Sequence, residues 1–167
     1  NPLIPPKSDG QIVVSSVNIE ENGQRQPVNY VLPPGISRMF DSSQPQLLQQ
    51  NEQALSMKIT DLSPADARAV YKSTAYDLRR YKRLQMFAHA EAPIDESKTL
   101  SNGDFSVFIR LGSDYKNNYY EYEVPLDLTP HSTILYNTNN SADQEKVWPL
   151  NNTLNFKLET LTDLKLE

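Results

Sequence analysis

The 167 residues have the length of one domain, enough to bury about 70% of the surface an unfolded chain exposes. The 16 Lys and Arg against 21 Asp and Glu leave a net charge of −5, spread along the chain, which argues against a nucleic-acid partner. There is no Cys, so disulfides and thiolate metal sites are excluded, and no apolar run approaches the roughly 20 residues a membrane helix requires.

Asn1 to Gly10 carries Pro2, Pro5 and Pro6 and predicts an extended lead-in or linker, leaving residues 11–167 as a single domain. The chain opens without an initiator Met or a signal sequence, so a piece excised or processed from a larger protein is expected. Gln11 to Ile19 predicts the first strand. Asn22-Gly23 turns the chain into Gln26 to Gly35, an extended piece stopped by Pro33 and Pro34 and expected along the body as an edge or lasso. The Gln- and Ser-rich residues 37–52 predict a surface connection. From Ala54 to Thr60 the alternation places Leu55, Met57 and Ile59 on one side, the signature of a strand with one buried face. Ser63-Pro64-Ala65-Asp66 reads as a helix cap or as a turn into a short strand, and the strand fits better because Asp77 opens another so soon.

Most of the hydrophobic mass lies between Asp77 and Leu126. Leu84, Met86, Ala88 and Ala90 share a face, as do Phe105, Val107, Ile109 and Leu111, and then Tyr120, Tyr122, Val124 and Leu126. Three consecutive strands in one antiparallel sheet are expected, joined at Asn102-Gly103-Asp104 and by the polar loop from Ser113 to Asn118. Ile134 to Tyr136 could be a strand, and Asn137 to Ser141 reads as loop. Leu154, Phe156 and Leu158 close the strands, and Leu161 and Leu164 begin a terminal helix. Short strands parted by turn signals predict an all-β fold, a two-sheet antiparallel β-sandwich in its jelly-roll form.

Chemistry is sparse. His89 beside Glu91 could act as an oriented base, but there is no nucleophile signature, no zinc-ligand spacing and no catalytic residue to assign, so an enzyme is not expected. Asp41, Asp61, Asp95, Asp104 and Asp114 lie in or near loops, where a structural calcium would be chemically reasonable and turn capping is the plainer role; no other cofactor is expected. Arg79, Arg80, Lys82 and Arg83, interrupted by Tyr81, suit anionic lipid head groups or an acidic partner, or form a solvated turn. Tyr115, Tyr119 and Trp148 offer flat amphipathic rings for sugars or protein interfaces, whereas Tyr120 and Tyr122 fall on the core face. Phe108 points away from its apolar neighbours and needs a cover, from this chain or from a partner.

Several blocks carry a family likeness: Asn29-Tyr30-Val31-Leu32-Pro33-Pro34-Gly35-Ile36, Asp66 to Lys72, Asp77 to Phe87 with His89-Ala90-Glu91, Phe108 to Asp114, Asn118 to Glu123, and Val147-Trp148-Pro149. Over these the chain resembles the SprA/Sov family, the Bacteroidetes outer-membrane proteins of gliding motility and type IX secretion. The resemblance implies a non-catalytic domain of a protein-secretion translocon. Its implied partners are the rest of the barrel, accessory secretion subunits and secreted cargo. Its implied place is the cell envelope, on either side of the outer membrane, with no span inside this segment. The approach from Asp77 to Leu84 is also similar to carbohydrate-binding jelly rolls, so a glycan-binding module using Tyr115, Tyr119 or Trp148 is the alternative.

Overall fold

A computed structural model describes residues 9–40, 49–94, 99–114 and 116–163, apart from the side chains of Arg79 and Thr162. Two long strands, β1 (Gln11–Asn18) and β2 (Gln53–Thr60), pair antiparallel over their whole length, from Gln11 opposite Thr60 to Asn18 opposite Gln53. Between them the short helix α1 (Ile19–Asn22) is capped by Asn18, whose Oδ1 accepts the Glu21 N–H at 2.8 Å while its Nδ2 donates to Glu21 Oε2 at 2.8 Å. β3 (Arg83–Met86) pairs with β6 (Leu154–Lys157), and β4 (Ser106–Gly112) with β5 (Tyr119–Pro125). Helices α2 (Ser141–Val147) and α3 (Glu159–Asp163) and two 3-10 turns, Leu78–Arg80 and Leu150–Asn152, complete the elements among the described residues, and the terminal helix begins where the leucine spacing predicts it.

The β-rich class holds, but the strands form three separate two-stranded ribbons, and no two-sheet sandwich or jelly-roll closure forms among the described residues. The expected central three-stranded sheet is also redrawn. β4 and β5 do form a hairpin, whereas Leu84 lies opposite Phe156 in a different sheet. The two ribbons meet where the Tyr122 and Phe156 rings pack, with centroids 4.6 Å apart. Residues 66–77 are extended without a strand partner, so the short strand expected after Ser63 is not formed. The run from Ile134 to Tyr136 likewise lies outside any strand.

The larger correction concerns the core. The segment expected along the body as an edge or lasso is central: Val28, Tyr30 and Val31 are buried with Val147 and Trp148, and Val17, Ile19, Leu32, Ala54, Phe87 and Tyr136 pack around them. Trp148, expected on the surface as a sugar-stacking ring, is only 7% exposed. Its indole meets Tyr30, Phe87 and His89 edge-on at centroid distances of 6.0, 6.5 and 5.8 Å, and its Nε1–H donates to the Val31 carbonyl at 2.9 Å. What brings Trp148 inward is α2, which the Asn-rich composition hides. Asn140 is its N-cap, accepting the Ala142 and Asp143 N–H groups, and the Asp143 carboxylate reaches back to the Asn137 N–H at 3.0 Å.

Much of the buried chain is irregular, so side chains stand in for ladders. Asn29 accepts the Tyr136 N–H at 2.8 Å and donates to the Tyr136 carbonyl at 2.9 Å. Asn152, fully buried, treats Asp127 the same way, at 2.7 and 2.8 Å. Each amide therefore satisfies both backbone groups of one residue, as a neighbouring strand would.

Two substitutions probe this core. Trp148→Phe keeps an aromatic ring but orphans the Val31 carbonyl, and should cost about 2 kcal/mol by chemical denaturation; an unchanged midpoint would remove the indole bond from the account. Tyr30→Phe should act the other way. The Tyr30 hydroxyl is buried without a hydrogen-bond partner among the described residues, and burial, then the Glu52 charge, push its pKa up to about 12. Its neutral form adds stability that is present below pH 10 and lost as pH rises towards 12. The Phe variant should gain ~1 kcal/mol at neutral pH and show a flatter alkaline decline.

Candidate interaction surfaces

The sequence-predicted surface residues do not converge on one site. Phe108, Arg110 and Gly112 lie on the outer face of the β4–β5 hairpin, opposite Glu123, Glu121 and Tyr119 respectively. There the Arg110 guanidinium covers both rings, 5.0 Å from the centroid of Phe108 and 4.2 Å from that of Tyr119, while its Nε donates to Glu121 at 2.5 Å. The outward Phe108 thus finds its cover within the hairpin. A side chain at position 112 would overlap the Asn118 carbonyl, so Gly112 is what permits the close approach that starts this face.

The loop closing the hairpin is organised by Asp114. Its Oδ1 accepts N–H groups from Lys116, Asn117 and Asn118 and its Oδ2 accepts Asn118 Nδ2, and these bonds, led by that from Asn117, hold the carboxyl well below the usual range. The carboxylate is engaged as a turn staple. Asp104 does the same for the Ser101 N–H at 2.7 Å. Among the described residues no three His, Asp or Glu side chains gather as a metal-ligand set. Asp41, Asp95 and Tyr115 lie outside the described residues.

The basic cluster divides. Arg80 ends a 3-10 turn (Leu78–Arg80) and lines an open cleft with Ala75, Tyr76, Asp77 and Tyr81, Lys82 is exposed, and Arg83 Nε donates to Asn155 across the β3–β6 pair. Arg79 lies in the same turn.

His89 is tied into the core. Its Nδ1–H donates to the Val147 carbonyl at 2.8 Å, Thr129 Oγ1 lies 3.0 Å from the same nitrogen, and Nε2 faces Glu91 at 3.4 Å. Glu91 also takes a two-pronged bond from Arg25, at 2.5 and 2.9 Å. The Thr129 hydroxyl is buried against the Lys146 and Val147 carbonyls, at 3.2 and 3.3 Å, and the group joins the turn after α1 to the Trp148 core.

A surface missed from the sequence lies on the β1–β2 ribbon. Val14 faces Met57, with Leu55 further along the same side, and with Val13 on the other face these four side chains are 40–61% exposed. Alternation correctly grouped Leu55 and Met57, but it reports which residues share a face and carries no information on whether anything covers them. The ribbon touches the core chiefly through Val17 and Ala54, at the opposite face.

The Glu91 cluster predicts an acid-side dependence. Burial pushes the Glu91 carboxyl up, but the bonds from His89 and Arg25 and their charges outweigh it and hold the pKa at about 2, against 4.5 for the free side chain. That stability is present above pH 4.5 and lost as pH falls towards 2, amounting to about 3 kcal/mol. Glu91→Gln should flatten this limb of the stability profile; an equally steep decline in the variant would place the acid sensitivity elsewhere.

No curated protein matches the chain. A family model described as motility related/secretion protein, SprA_N, matches residues 4–167. Among the described residues no helix is long and apolar enough to cross a membrane. With the match covering all but the first three residues, the chain belongs to the SprA_N family of motility- and secretion-related proteins.

Proposed function

We propose that the chain is a non-catalytic structural and interaction module of a type IX secretion translocon in the Bacteroidetes outer membrane, docking through the apolar face of its β1–β2 ribbon. The observation that carries this is the ribbon itself. A two-stranded sheet has two open edges and is marginal alone, and one with Val14, Leu55 and Met57 on one side is built to be covered. The partners proposed are the remainder of the translocon barrel, accessory secretion subunits or passing cargo, in the cell envelope, with no cofactor.

A sugar-stacking site has less support, because Trp148 is in the core and the Tyr119 ring is taken by Arg110.

The test is a pair of substitutions, Val14→Asp and Leu55→Asp, made in the translocon protein. Both side chains are exposed, so the purified chain should keep its stability to within about 0.5 kcal/mol, while export of cargo and assembly of the translocon fail. Undiminished secretion by the double variant would refute docking through the ribbon.

A further inference from the structure

The extended segment before the 3-10 turn is a second unexplained surface, on a different part of the chain from the ribbon. Every residue from Ala69 to Leu78 is exposed. Its tyrosines and the next one, Tyr71, Tyr76 and Tyr81, are 56–80% exposed. Between Tyr71 and Arg83 lie Lys72, Arg79, Arg80, Lys82 and Arg83 against one carboxylate, Asp77, in a chain of net charge −5. The cleft at the bend, about 520 Å³, is lined by Ala75, Tyr76, Asp77, Arg80 and Tyr81.

The positive charge here is poorly compensated. Among the described residues Lys72, Arg80 and Lys82 form no ion pair. The strand register also sets Arg83 opposite Lys157, a like-charge pairing that costs stability unless each cation finds another partner. Arg83 turns to Asn155, and Lys157 to Glu159 at 3.0 Å. A segment that sets five cations against one carboxylate and exposes three amphipathic rings has the composition of a lipid–water interface. There, tyrosine rings sit at headgroup level and Arg and Lys reach the phosphates.

We propose that the cleft lined by Tyr76, Arg80 and Tyr81, with Lys72 and Lys82 exposed on either side of it in sequence, docks the phosphate headgroups of an anionic lipid surface. The cations supply the attraction and the rings supply interfacial burial. An acidic polypeptide would engage the cations but gives the three exposed rings no apolar layer to enter. The acidic remainder of the chain is repelled by the same surface, so the patch is turned towards it.

Cosedimentation of the purified chain with vesicles tests this. The chain should pellet with vesicles of phosphatidylcholine mixed with phosphatidylglycerol and stay in solution with phosphatidylcholine alone. Arg80→Gln and Lys82→Gln should each weaken partition about fivefold, since a basic residue near an anionic surface is worth ~1 kcal/mol. Tyr76→Ser with Tyr81→Ser should weaken it while leaving its salt dependence in place. All four positions are exposed, and circular dichroism confirms that the variants fold. Equal partition to both vesicles, or unaltered partition of the charge variants, would overturn the proposal. Displacement by inorganic phosphate would reveal a site for the free ion instead, and preferential binding of poly-glutamate would reveal an acidic-protein site; either result also overturns it.

Discussion

The indole of Trp148 is the contact on which the rest of the arrangement depends. Its N–H reaches the Val31 carbonyl and its ring edges meet Tyr30, Phe87 and His89, so a single side chain joins the thread at residues 28–31, the run after β3 and the end of α2. These pieces are remote in sequence and none is paired in a sheet with another. An aromatic ring that offers both area and one directed donor is suited to such a junction, because packing alone fixes no orientation. His89 extends the junction. By bonding the Val147 carbonyl and facing Glu91, it carries the constraint to Arg25 and the turn after α1.

The same requirement explains the buried polar groups. Ladders end early in this chain, since β3 and β6 are four residues each, yet Val28, Val31 and Leu154 still pass through a dry interior. Their neighbours' backbone groups need partners there. Asn29 and Asn152 provide both a donor and an acceptor to one residue apiece, and Thr138 Oγ1 accepts the Leu32 N–H at 2.9 Å. Replacing a ladder with amides makes the core specific in position but thin in apolar area, which is the opposite balance from a sandwich.

Local signals were legible in the sequence, and global ones were not. Strands β1, β2, β4, β5 and β6, the turn at Gly103 ahead of β4 with its φ of 85°, and the start of the terminal helix all follow from alternation and turn chemistry. The cap of α2 was also present, as Asn140 followed three residues later by Asp143, but it was masked by the surrounding asparagines. The remainder depended on long-range pairing. Nothing in residues 83–86 says that their partner is 154–157 rather than the next strand, and nothing in Gln26 to Leu32 distinguishes a buried thread from an edge, because prolines exclude a ladder in either place. The surface candidates divided for the same reason. Trp148 is interior because α2 directs it there, and Phe108 is covered because residue 110, on the same face, is an arginine.

A small core joined by directed bonds, with a long ribbon and an extended basic segment outside it, places much of the chain's apolar and charged surface beyond the reach of its own packing. For the ribbon, stability within the chain comes from eight residues of pairing on each strand and from Val17 and Ala54 at one end, while the Leu55 and Met57 side is left open. Covering that side would remove apolar surface from water at about 25 cal/mol per Å² and would do so only in the folded register, because a one-residue slip moves these side chains to the other face. A docked partner would therefore stabilise the register as well as the contact, and by mass action it would raise the stability of the folded chain.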